Sequence, residues 1–413
     1  MIGAARGRAT VTWRPAAPSV DRVTEGLVLL LVLGLVASIT VAQGSLLLLG
    51  AWLIVRRRHA RPMRWPLLGV LLAFAAWTVL SALASDDPAR SLRSLRGLVW
   101  LATPYVLLAA LPDTASARRF LTALLVGLTG VAALAVLQVL ACSAVEPQAL
   151  AGPIAELFRK CERARGFFSI YMTLGGVLML VLVAALPGVP REPRRRVSFL
   201  LAWGLGAAAL ALTFVRGAWL GFGLGVVVGA LGGRRRAVTL TVLGVGAGLL
   251  LLLPGVLDRA RTIGDVRDPT TRERLAMLEA GLSMLEERPI FGAGPGQVRG
   301  LYPLHAPDYA VRRSTSHLHN SPLQIAVERG LPGLALWLAI FGGFFVRALR
   351  ILAAVPADRR GARALVLGSL SAMAAFLVAG LFEYNFGDSE VWLVAGSLMA
   401  LPFVVERDLE AAA

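Results

Sequence analysis

Three of the chain's four histidines lie in one polar stretch, residues 258–330. His317 and His319 stand two apart in Ser316-His-Leu-His-Asn-Ser-Pro-Leu-Gln324, with His305 upstream. A neutral imidazole near pH 7 is the usual general base for a hydroxyl nucleophile. A metal site is the other chemistry such a pair suggests, but no third ligand or acidic cluster accompanies it, so neither a metal nor a cofactor is expected. A loop histidine is also often structural. Arg216 sits in Thr213-Phe-Val-Arg-Gly-Ala-Trp-Leu-Gly221, with apolar residues on both sides. A charge at membrane depth is costly and usually functional, although an interfacial arginine also snorkels to lipid phosphate. Its planar fork suits phosphate oxygens. Arg272 and Arg274 open a segment whose leucines, Leu275, Leu278, Leu282 and Leu285, recur at helical spacing. Most arginines on such a helix are simply solvated. Gly292, Gly294 and Gly296 could form an anion nest, but no lysine and Ser/Thr follow at Walker spacing, so the run reads mainly as a turn. Glu383 and Tyr384, in Phe382-Glu-Tyr-Asn-Phe-Gly-Asp-Ser-Glu390, are polar groups at the edge of an apolar run. They could line the same cavity or simply form a turn.

The elements that must hold these residues are membrane spans. The chain is 57% hydrophobic with mean hydropathy +0.70, outside the soluble range. Apolar runs able to cross ~30 Å of hydrocarbon recur along it, and in lipid they must be helices. They lack the period-two alternation of a barrel. The expected spans are 26–41, 43–55, 65–84, 97–111, 120–141, 166–187, 198–215, 217–232, 237–256, 331–349, 364–384 and 388–405. The fold class is therefore an all-α integral membrane protein of about twelve spans with a helical insert. The first apolar run is too long for a signal-peptide h-region, so no cleavable leader is expected. The expected organisation is a disordered cytoplasmic tail (1–24), spans one to nine (25–257), the insert (258–330), spans ten to twelve (331–405) and a second tail (406–413).

The net charge of +17 taken alone invites a nucleic-acid partner. Its placement argues otherwise. Arg6, Arg8, Arg14 and Arg22, Arg56 to Arg58 with Arg61 and Arg64, Arg194 to Arg196, Arg234 to Arg236, and Arg359, Arg360 and Arg363 all fall on one side of the spans. Nearly the whole excess lies there, which marks that side as cytoplasmic, and no nucleic-acid partner is expected. The histidine-bearing insert then faces outward. Cys142 and Cys161, the only cysteines, share the outward loop after the fifth span. An oxidising compartment permits a bridge between them.

Taken together, these segments resemble the O-antigen ligase and O-antigen polymerase superfamily of the bacterial inner membrane. Arg216-Gly-Ala-Trp-Leu-Gly221 is similar to its arginine–glycine motif. Arg274 with Pro289-Ile-Phe-Gly-Ala-Gly-Pro-Gly296 is similar to its arginine helix and proline–glycine turn, except that Leu278 stands where tryptophan is common. His319-Asn320, Leu323-Gln324 and Glu328-Arg-Gly-Leu331 resemble its histidine–asparagine motif, and the 383–389 turn its late polar turn. The resemblance covers about 213–390. It implies a GT-C-like, metal-independent, inverting glycosyltransferase with its site in the periplasm. The donor would be a glycan on undecaprenyl diphosphate and the acceptor a sugar hydroxyl of lipid A–core, with membrane lipids around it. Arg216 and Arg274, with Arg272, would hold the diphosphate. His319 would orient or deprotonate the acceptor hydroxyl, and His317, Asn320, Glu383 and Tyr384 would contact substrate. A polymerase using the same donor, a protein O-oligosaccharyltransferase and a transporter or flippase are the alternatives.

Overall fold

The computed structural model describes residues 22–56, 65–142, 161–232, 255–261 and 267–412, with the isolated positions 158, 244, 248, 252 and 265. The described residues are helical, with no strand among them. In chain order the helices are α1 (Arg22–Ala37), α2 (Ile39–Arg56), α3 (Leu68–Leu83), α4 (Pro88–Ser94), α5 (Thr103–Ala110), α6 (Thr114–Ala141), α7 (Tyr171–Ala185) and α8 (Pro193–Leu212). They continue with α9 (Arg216–Leu231), α10 (Val256–Arg261), α11 (Pro269–Glu287), α12 (Val298–His305), α13 (Ser321–Ala354), α14 (Arg360–Gly380) and α15 (Ser389–Ala412). Seven of the described helices are long and apolar enough to cross a membrane, and α3 and α9 are shorter apolar ones. The chain is a multi-pass, all-α membrane protein. The run 97–111 is not one helix: a 3-10 turn, Leu95–Ala102, leads into the eight residues of α5. The expected span 237–256, the tail before Arg22 and Arg234 to Arg236 lie outside the described residues, or nearly so.

Contacts at the two ends sort the loops as the charge pattern does. At one end Arg347 pairs with Glu406, Thr114 hydrogen-bonds Asp408, and Gly361 packs on Arg118. At the other end, Trp77 and Ser81 of α3 bond the backbone of 291 and 328–329, and Ser321 bonds the 383–385 turn. Every candidate site residue belongs to this second end.

Arg216 is fixed there by helix packing. Gly217, Gly221 and Gly225 present a bare stripe of α9 to α14, and a Cβ at Gly221 would stand 2.6 Å from the carbonyl of Ala375. Small residues let helix backbones approach this closely in lipid. Helix α8 ends at Thr213, Phe214 takes a left-handed φ of 56°, and Arg216 opens α9 immediately afterwards.

Sequence spacing implies that 323–331 runs straight into the tenth span. The structure corrects this. Gly330 breaks α13 with φ 69° and ψ 179°, a conformation essentially confined to glycine, and a Cβ there would collide with the carbonyl of Ile290. The half-helix 321–329 is buried, and the 289–296 turn clasps it through Ala293 N–H to Val327 O and Gly294 N–H to Glu328 O. The glycine run is thus a structural turn, with positive φ at Gly292, Gly294 and Gly296.

Cys142 and Cys161 are joined by a disulfide, Cα–Cα 5.3 Å, linking the end of α6 to the segment that enters α7. Their separation of 19 residues gives a stabilisation of about 3 kcal/mol by loop-closure entropy. Mass spectrometry of protein purified without reductant should find the linked peptides; two free thiols would contradict the pairing.

Candidate active site

His319 sits where three cavities meet. The first, about 340 Å³, is lined by Arg163, Tyr171, Arg216, Arg259, Glu273, Arg274, Arg312, His319 and Glu383, among others. The second, about 240 Å³, combines Arg216, Arg274 and His319 with Leu220, Leu275, Leu278 and Leu381, leucines otherwise exposed. The third, about 360 Å³, is lined by Thr173, His317, His319, Glu383, Tyr384, Asn385 and Asp388, with apolar neighbours.

The three residues expected to do chemistry converge. His319 Nδ1 is 2.7 Å from Glu383 Oε2, and Arg274 pairs with the other oxygen of the same carboxylate. An ionised carboxylate only accepts, so Nδ1 carries the ring proton facing Glu383, and in a neutral imidazole Nε2 is then the bare acceptor. Glu383 was legible as a polar edge residue, but its bridging of His319 and Arg274 was not. Arg216 Nη2 donates to Asp268 Oδ1 at 2.8 Å, and both side chains are about nine-tenths buried. Asp268 caps α11 by accepting from the N–H groups of Thr270 and Thr271, both at 3.1 Å. Burial pushes its carboxyl up, but the hydrogen bonds from Arg216 and Thr271 and the charges of Arg216 and Arg259 outweigh this and hold it low. One acid therefore fixes the start of the arginine helix and the fork of Arg216 at once.

The sequence reading missed Asp268, Arg163, Arg259 and Arg312. Each lies in a charged loop or helix end without diagnostic spacing. The available signal for Arg163 was its place two residues after Cys161. Arg163 also lies over the Tyr171 ring at 4.4 Å. Arg259 pairs with Asp268 at 3.3 Å. Its pKa is lowered, by burial first and then by the charge of Arg216. Cations crowded closely enough to repel one another suit an anionic ligand.

Other polar residues of these segments are less directly placed at the site. Arg272 is exposed on α11 and lines none of the three cavities; the helical turn that points Arg274 inward points Arg272 to solvent. His305 bonds Ser283 and stays away from the site. Asn320 lines the second cavity, but its amide is already committed. Its Oδ1 accepts from Leu323 N–H at 2.9 Å as the cap of α13, and its Nδ2 donates to Leu381 O at 3.1 Å. Among the described residues no group of three or more His, Cys, Asp and Glu could hold a metal ion.

His319 has φ 48°, left-handed for a residue with a Cβ, while Leu318 before it is anchored and Asn320 after it begins the half-helix. Such strain costs about 1–3 kcal/mol and persists where the surroundings enforce it. His317 lies 4.3 Å from His319, ring to ring, and lines the third cavity. Burial, and then His319, lower its pKa from 6.5 to about 4. Between those values the unfolded chain binds the proton and the folded chain does not, so stability rises with pH across that window. The midpoint of thermal unfolding should fall as pH drops from 6.5 toward 4 in the wild type, and fall less in His317→Gln. Equal slopes would show that His317 is not the group responsible.

No curated protein matches the chain. Residues 197–338 match the family model described as O-Antigen ligase. That segment carries Arg216, Arg274 and His319, while Glu383 lies beyond it. The chain is accordingly similar, over this segment, to the O-antigen ligase and polymerase superfamily that its motifs resemble, a family of glycosyl-transfer-related membrane enzymes.

Proposed function

We propose that this protein is an O-antigen ligase. It transfers a glycan from undecaprenyl diphosphate to a sugar hydroxyl of lipid A–core at the periplasmic face of the bacterial inner membrane. The observation that carries this reading is the placement of His319, with Glu383 behind its Nδ1 and Arg216 and Arg274 beside it in the same cavities. The arginine-rich first cavity takes the diphosphate, and the leucine-lined second cavity takes the start of the polyprenyl chain. The third, with Tyr384, Asp388 and Thr173, takes the acceptor sugar.

Chemistry follows from that placement. His319 Nε2 takes the proton of the acceptor hydroxyl as its oxygen attacks the anomeric carbon. The bond from that carbon to the phosphate oxygen breaks, and its electron pair leaves with the diphosphate. Glu383 stabilises the imidazolium that forms. Arg216 and Arg274 offset the charge growing on the leaving group, held in place beforehand by Asp268 and Glu383. A single displacement inverts the anomeric centre. With a diphosphate as leaving group and guanidinium groups beside it, the reaction runs without a metal.

Purified protein in lipid nanodiscs, given a glycan on undecaprenyl diphosphate and purified lipid A–core, should release undecaprenyl diphosphate and yield a lipid A–core ladder on a gel. Chelator should leave the rate unchanged. Extension of free glycan chains with no product on lipid A–core would replace the ligase by the polymerase. No transfer to either acceptor would sink the glycosyltransferase reading.

A further inference from the structure

We infer that Glu328 is a positioning residue from which both members of the His319–Glu383 pair are hung. This rests on the function proposed above. Glu328 and Arg329 are among the most deeply buried charged residues described, with 4% and 8% of their surfaces exposed, and neither lines any of the three cavities. The Glu328 carboxylate is fully engaged. Its Oε1 accepts from Gly296 N–H and from Gln324 Nε2, each at 2.8 Å, and its Oε2 from Arg329 Nη1 at 2.7 Å.

Two arms run from it. Along the first, Gln324 is held by Glu328 so that its Oε1 accepts from Leu318 N–H at 2.8 Å. Leu318 directly precedes His319, so this bond fixes the backbone that carries His319 in its left-handed conformation. Along the second, the Arg329 guanidinium interacts electrostatically with the side chain of Tyr384, the neighbour of Glu383. The Gly296 bond and the backbone bonds of Ala293 and Gly294 close the 289–296 turn over the same point. Gln324 and Glu328 are four residues apart on a buried half-helix that ends at Gly330. A bilayer span needs neither a buried ion pair nor such a break, so the two features set this half-helix apart from a plain span. One carboxylate thus sets the Nδ1–carboxylate geometry of a pair whose members are 64 positions apart in the chain.

The test uses the full chain in the nanodisc assay. Gln324→Met keeps the length of the side chain and removes both amide bonds, and Glu328→Gln keeps the shape and removes the charge. Each should lower kcat about 10- to 100-fold with the donor KM changed less than about twofold. In a His319→Ala background Gln324→Met should not lower kcat further, because Gln324 acts through His319. The same fold-loss in both backgrounds would show a general structural role and overturn the inference. Wild-type kcat in Gln324→Met at normal membrane abundance would also overturn it. Should Glu328→Gln not accumulate, Gln324→Met still decides. A fully active His319→Ala protein would remove the proposed function and this inference with it, whereas an impaired one with additive losses removes the inference alone.

Discussion

Arg216→Ala should lose about 10²–10³-fold in transfer rate, the scale on which removing one preorganised donor to a developing negative charge acts. The structure indicates that this loss will not be a folding defect. Removing one partner of a buried ion pair ordinarily costs about 3–5 kcal/mol, because the other charge is left alone. Here Asp268 keeps Arg259 at 3.3 Å and the N–H groups of Thr270 and Thr271, so its charge stays compensated. Membrane abundance should therefore be near normal. Arg216→Lys keeps the charge but loses the planar fork, and should also be severely impaired. Arg274→Ala should be comparably inactive, with a further contribution from Glu383 losing a cation. The double variant should be little worse than either single, since both groups act on one leaving group. The measurement is O-antigen attachment by gel in a ligase-deficient host. Full attachment by well-expressed Arg216→Ala would make Arg216 an interfacial arginine and misplace the donor site.

His319→Ala should cost about 10²–10⁴-fold, the range for a positioned general base. Alanine, unlike histidine and asparagine, is not enriched in the left-handed region, so His319→Ala also carries a backbone cost of its own. His319→Asn separates the two effects, because asparagine tolerates that conformation without supplying a base. Both variants should be equally inactive, and Asn the more stable. His317→Ala should be milder, since His317 bonds Ser316 and packs beside His319 without touching Glu383. Near-wild-type turnover in His319→Asn would end the general-base assignment.

Much of this protein is fixed by composition and local pattern. The hydrocarbon core of a bilayer leaves helices as the only outcome for apolar runs of this kind, so the all-α membrane class follows from hydropathy alone. Charge placement likewise sorts the loops into two ends, because the rule acts on short loops and needs no packing information. Arg216 stands out because an arginine among apolar residues has few cheap explanations, and the 316–324 cluster because polar loops of that length are rare between spans. The apolar run 97–111 shows the limit: hydropathy marks it as a span, but it folds as a 3-10 turn and a short helix.

What sequence alone left open are the relations between segments distant in the chain. Arg272 and Arg274 are alike in sequence, and only the rotation of α11 against α13 and the 383–389 turn turns Arg274 inward and leaves Arg272 exposed. Asp268 reads as an ordinary helix cap until Arg216, 52 positions earlier, is seen to share it. Glu383 comes to sit behind His319 only because Ser321 and Asn320 tie its turn to the residues beside His319. The Gly330 break has the same origin, since a glycine two residues before a proline is locally just a weak point, and the carbonyl of Ile290 leaves no room for any other residue. Hydrogen bonds and ion pairs across such separations leave no period or spacing in the sequence. They are set by how helices pack, and packing is where the tertiary structure decides.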